Sequence, residues 1–218
     1  MAEDSFIKTM IRFLIYTAVI VTGLAALPLA VSPADISRFR ESSDIENIQA
    51  LLLLATVACY IFAYLVGRNR TPLLLLLAAL TCCALIREFD AFLDNLFPAL
   101  GWQFFVAGIL VFALGLSIKK RKQLLPDIYR FARTRSFGIL WVGFIITVAF
   151  SQLVGHREFL ESLMGDDYER GYKRVIEESC ELLGYFIFLL GSWETIVQVR
   201  AWERKPQEDQ ESVPNSGC

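Results

Sequence analysis

Six carboxylates, two arginines and one histidine hold most of the chemistry this chain can offer, and they fall in three short stretches. The first, REFDAFLD at 87–94, ends the apolar run TPLLLLLAALTCCALI. On a helix of about 3.6 residues per turn, Arg87, Asp90 and Asp94 share a stripe, while Glu88 points elsewhere. Arg87 stands one turn before Asp90, close enough to pair. The second stretch, RVIEESCELLGY, puts Arg174, Glu177, Glu178, Glu181 and Tyr185 on one helical face. The third is His156, the only histidine, at the end of another apolar run.

Residues of these types support three kinds of chemistry. Buried charges persist where they are paired, so Arg87 and Arg174 among the carboxylates can form a network that locks helices together. Carboxylates outnumber arginines in the cluster, and crowded like charges must share protons or take up a cation. That makes a divalent metal a candidate cofactor. Glu88, Asp90, Asp94, His156, Glu177, Glu178 and Glu181 would be its ligands, a hard oxygen set with one imidazole that suits Mg, Mn or Zn. A single histidine rules out HExxH, and HREFLE at 156–161 lacks the second one. No GxSxG elbow, Walker loop or GxGxxG occurs. GDD at 165–167 falls in a polar loop, and Ser151 cannot pair with His156 five residues along the same helix.

The elements that must position these residues are apolar helices. The chain is 55% hydrophobic, with a mean hydropathy of +0.48. Crossing a hydrocarbon core takes about 20 apolar residues. Six segments approach that length, about 10–31, 48–67, 72–94, 99–118, 137–156 and 178–199. None alternates as a strand would, so the expected fold is an all-α membrane protein, a polytopic bundle of six transmembrane helices occupying 1–203. The run LAALPLA resembles a signal-peptide end, but the preceding residues carry no net positive charge, which favours an uncleaved anchor. In the third span, Arg87 lies about 23 Å along the helix at 1.5 Å per residue, so the span needs residues 87–94 to complete its crossing. Glu181 falls near the same depth in the sixth.

Basic residues set the orientation. Placing both termini, the 68–70 turn and the 119–135 loop on one side puts 14 of the 21 Lys and Arg there. The positive-inside rule makes that side cytoplasmic, with KKRKQLLPDIYRFARTR as the strongest signal. The polar cluster then opens to the outer face. Trp102, Trp141, Trp193 and Trp202 suit interface anchors, and Gly184 and Gly191 suit close helix packing. Cys59, Cys82, Cys83, Cys180 and Cys218 form no CxxC pair and read as packing residues with no disulfide framework. The tail over 204–218 is polar and expected to be disordered.

The sequence therefore predicts a multi-pass inner-membrane protein with both termini cytoplasmic, in contact with the lipid bilayer and open to membrane-protein partners. A net charge of −2, with no basic–aromatic stripe, excludes nucleic acid as a partner. The intramembrane Arg/Asp/Glu/His cluster points to a non-enzymatic transport, sensing or assembly role. The alternative is a metal-dependent hydrolase or transferase acting on a lipid or lipid-linked substrate at the outer leaflet. There one carboxylate would serve as general base, and Arg87 or Arg174 would hold a phosphate or oxyanion. A proton-coupled carrier is disfavoured, because no span has a Gly/Pro interruption near mid-membrane.

Overall fold

The computed structural model of the chain describes residues 2–30, 44–67, 71–97, 101–165 and 170–211. The 68–70 turn, Asp166, Asp167 and Cys218 lie outside the described residues. Within them the fold is all-helical, without strands. The helices are α1 (Ala2–Ala30), α2 (Asp44–Val66), α3 (Pro72–Glu88), α4 (Asp90–Leu96), α5 (Gly101–Lys119), α6 (Arg121–Ala132), α7 (Arg135–Phe144), α8 (Ser151–Val154), α9 (Arg157–Met164) and α10 (Arg170–Glu211). A π-helical segment, Ile145–Phe150, joins α7 to α8, so the backbone coils without a break from Arg135 to Val154.

Four helical stretches are long and apolar enough to cross a membrane: Ile45–Val66, Gly101–Lys119, Arg135–Val154 and Lys173–Ala201. They correspond to the second, fourth, fifth and sixth expected spans. The first expected span lies within α1, which is not among the four. The third departs from expectation. Instead of running unbroken over 72–94 it is divided at Phe89, leaving α3 with 17 residues. Phe89 sits at φ −100°, ψ 19°, and its N–H bonds back to Ile86 O at 3.1 Å, a tightened i→i−3 turn. α4 then restarts with Leu93 N–H bonding to Phe89 O at 2.9 Å. No Gly or Pro marks this break. At the other end, α10 runs to Glu211, eight residues into the segment expected to be a disordered tail.

The start of α3 follows directly from its sequence. Thr71 is the N-cap, its Oγ1 accepting from Leu73 N–H at 3.4 Å, and Pro72 takes the first helical position, where its missing N–H costs nothing.

The chain divides into two compact units, Met1–Gln49 with Val142–Leu190, and Ala50–Trp141 with Gly191–Cys218. In the second unit Tyr60, Ala63, Leu74, Ala78, Ile196 and Val199 form one buried cluster. Leu73, Leu124 and Phe131 form another, which seats α6 on α3. Ser136 and Thr195 are fully or almost fully buried there. Ser136 Oγ donates to Gly191 O at 3.0 Å and also contacts Thr195 Oγ1. A Cβ at Gly191 would stand 2.6 Å from Leu140 Cδ2, so a larger residue there would oblige the Leu140 side chain to shift.

Candidate functional site

In the first unit, one face of α10 packs antiparallel against the coil over 142–155. A regular pattern of small residues makes the contact possible: Gly143, Thr147, Ser151 and Gly155 recur every four residues. Glu177 packs directly over Gly155, where any Cβ would overlap its side chain. A Cβ at Gly184 would collide with Thr147 Oγ1 and lie 3.2 Å from Gly143 O. Ile187 and Phe188 would each be 3.1 Å from a Cβ at Gly143. Pairing 155 with 177 and 147 with 184 sets the register, and that register puts Ser151 opposite Cys180 and Glu181. Ser151 is fully buried, and Glu181 is 5% exposed.

Gln49, in α2, closes the site from a third element. It is fully buried. Its Nε2 donates to Glu178 O at 3.1 Å and to Glu178 Oε2 at 2.9 Å. A backbone carbonyl only accepts, so the amide orientation is fixed and Oε1 must point away from that contact. Gln49 Oε1, Thr147 Oγ1 and Ser151 Oγ are all buried without a hydrogen-bond partner. Burying such a group unsatisfied costs about 1–3 kcal/mol. Thr147 lies inside the π-helical segment, and Ser151 N–H closes it with an i→i−5 bond to Ile146 O. Such widened turns recur at functional positions.

The residues expected from sequence divide between the units. Arg174, Glu177, Glu178, Glu181 and His156 belong to the first. Glu177 pairs with Lys173 at 3.6 Å, and Glu178 is held by Gln49. His156 is exposed and occupies the N-cap position of α9 without a side-chain cap bond; its carbonyl accepts from Leu160 N–H at 3.1 Å.

Arg87, Glu88, Asp90 and Asp94 belong to the second unit. The helix breaks at Phe89, so the three residues expected as one stripe divide between two helices, Arg87 on α3 and Asp90 and Asp94 on α4. Glu88, expected to point elsewhere, is the buried member of the stretch, its side chain 6% exposed and 3.7 Å from Arg87 Nη2. Asp90 is exposed. Asp94 is exposed too, and its Oδ1 accepts from Trp102 N–H at 3.2 Å, so it caps the start of α5, where the helix dipole favours an anion. Gly101, at φ +64°, makes the tight approach to that helix start.

Among the described residues no three His, Cys, Asp or Glu side chains stand together as ligands to one metal ion. Cys59, Cys82, Cys83 and Cys180 are free thiols.

Sequence reasoning missed Gln49, Thr147 and Glu194, and weighed Ser151 only as a partner for His156. Glu194 is 1% exposed in the sixth apolar run, within SWET. Polar residues inside long apolar runs were the available signal, and for Thr147 and Ser151 so was their four-residue spacing with Gly143 and Gly155. The chain matches no protein-family model, no curated protein and no solved structure.

Proposed function

We propose that this chain is a multi-pass inner-membrane protein of six spans, with both termini cytoplasmic. In this reading its role is non-enzymatic, in transport or sensing, and its working part is a buried site for a small hard monovalent cation. The membrane assignment is supported by the four apolar stretches and by bulky side chains such as Leu14, Leu51, Val111 and Leu153 that are left on the helix surfaces. Hydrocarbon would cover these at no cost.

The observation that carries the site is the set of buried oxygens without hydrogen-bond partners: Gln49 Oε1, Ser151 Oγ and Thr147 Oγ1. Gln49 is joined to Glu178, and the helix register sets Ser151 opposite the buried Glu181. Amide, hydroxyl and carboxylate oxygens are the ligands that hard cations prefer. Neutral oxygens dominate the set, which suits a single positive charge, sodium or a hydrated proton.

Thermal unfolding of detergent-purified protein in sodium, potassium or choline chloride tests this directly. Ligand at about 100 times its Kd stabilises the folded state by about 2.7 kcal/mol. Sodium should therefore raise Tm over choline, and Ser151→Ala and Gln49→Leu should abolish the difference. If sodium has no effect but Tm rises on acidification in wild type and not in the variants, the bound ion is the proton. Equal Tm values in all three salts and at every pH would sink the proposal.

A further inference from the structure

The basic loop at 119–135, which served above only to orient the chain, is built as a helix. α6 begins one residue after α5 ends at Lys119, and α7 begins at Arg135, two residues after α6. Both neighbours are apolar stretches that can cross a membrane. With connectors this short, α6 has no room to leave the boundary where those stretches emerge. We infer that α6 is a docking surface for anionic phospholipid headgroups, an inference that rests on the membrane reading proposed above.

Its two sides are different in kind. The inner side is fixed to the protein. Leu124 and Phe131 are buried against Leu73, and Asp127 accepts a hydrogen bond from Thr71 Oγ1 at the start of α3. The helix therefore cannot roll, and its outward flank is set. That flank carries Lys122, Leu125, Tyr129 and Arg133 at i, i+3, i+7 and i+11, all exposed. Leu125 is 66% and Tyr129 62% exposed. Arg133 lies 4.2 Å from the Tyr129 ring centroid and donates to its hydroxyl, which holds the guanidinium beside the ring.

An apolar pair bracketed by cations is the pattern of a helix lying in the interface. Leucine and tyrosine enter the boundary between headgroup and acyl chain, and the cations meet phosphate. Lys119, Lys120 and Arg121, also exposed, continue the positive patch towards the end of α5. The one acid on the helix, Asp127, is turned inward to Thr71, so no carboxylate on α6 opposes the phosphates. Charge complementarity therefore selects an anionic phospholipid as occupant over a zwitterionic one.

Native mass spectrometry of the full chain tests this, counting phosphatidylglycerol and phosphatidylcholine retained from an equimolar mixture. Each engaged cation should contribute about fivefold in preference. Wild type should thus retain phosphatidylglycerol over phosphatidylcholine by well over tenfold. Neutralising Lys119–Lys122 would also remove a topology signal, so the decisive variants leave that run intact. Arg133→Gln should lower the preference about fivefold, and Leu125→Ser with Tyr129→Ser should weaken retention of both lipids at unchanged charge. Equal retention of the two lipids by wild type, or an unaltered preference in Arg133→Gln, overturns the inference while leaving the membrane reading intact. A chain that fractionates into buffer without detergent overturns both.

Discussion

Replacing Gly184 with alanine sets two well-measured effects against each other. In an isolated helix, Gly→Ala stabilises by roughly 0.5–1 kcal/mol, because alanine loses less backbone freedom on folding. At this position the new methyl group would overlap Thr147 Oγ1 and stand 3.1 Å from Thr147 Cβ and 3.2 Å from Gly143 O. Threonine is β-branched and stiff at χ1, and the third neighbour is backbone, so relief requires the two helices to move apart. Overpacking of this kind costs about 1–3 kcal/mol. The sign should therefore invert, with Gly184→Ala destabilising the protein despite its better helix propensity. In sodium-free buffer Thr147→Ala alone should be close to neutral, since the hydroxyl it removes is buried without a partner. The double variant should recover most of the loss, returning to within about 0.5 kcal/mol of Thr147→Ala. Reversible unfolding in mixed micelles, read by tryptophan fluorescence, supplies all four corners of the cycle. A Gly184→Ala variant as stable as wild type, or two effects that simply add, would refute the packing described for α10.

Gln49→Leu removes two hydrogen bonds, one of them to a carboxylate, and should lower stability by about 1.5–3 kcal/mol in the same unfolding assay. Asp94→Ala removes the cap on α5 and should cost about 0.5–2 kcal/mol, while the sodium dependence of Tm stays as in wild type; loss of that dependence would place Asp94 in the ion site. Thr71→Val should cost about 1 kcal/mol, since it removes both the α3 cap and the bond to Asp127. The expected sidedness can be read with an impermeant maleimide on intact cells carrying a single introduced cysteine: Ser162→Cys should label and Thr134→Cys should not.

How much of this was legible from sequence depends on the range of the interaction involved. Apolar length alone placed α2, α5, the 135–154 coil and the apolar part of α10, because helix formation in an apolar run is dictated by neighbouring residues. The spacing of Glu177, Glu178 and Glu181 was equally local, and their shared face followed from it. The break at Phe89 was not legible. An i→i−3 turn there needs no special residue, and Asp94 beyond it caps the start of α5. Gln49 was overlooked because its partner, Glu178, is 129 residues away in the chain. Glu194 was overlooked because the flanking apolar residues outvoted it. Charges at the ends of runs are conspicuous in the sequence, while the best-buried oxygens lie inside them.

The π-helical segment has a consequence for how this chain can change over time. An ordinary α-helix advances about 100° per residue, so positions four apart drift some 40° around the axis at each step. Across Gly143, Thr147, Ser151 and Gly155 that drift would carry the last residue about a third of a turn from the first. The wider i→i−5 turns over Ile145–Phe150 take it back, and all four residues can face the same neighbour. One surplus residue is enough to create such a turn. Losing a single codon within 148–150 would remove that surplus residue and restore regular winding, yet would leave Ser151 and Gly155 on the face they already occupy, because seven α-helical steps from Gly143 turn about 700°, within some 20° of two full turns. Losing a residue between Ser151 and Gly155 has no such bulge to absorb it and would turn Gly155 about 100° away from Glu177. Closely similar chains are therefore expected to tolerate a one-residue difference inside the π-helical segment and not in the turn that follows it.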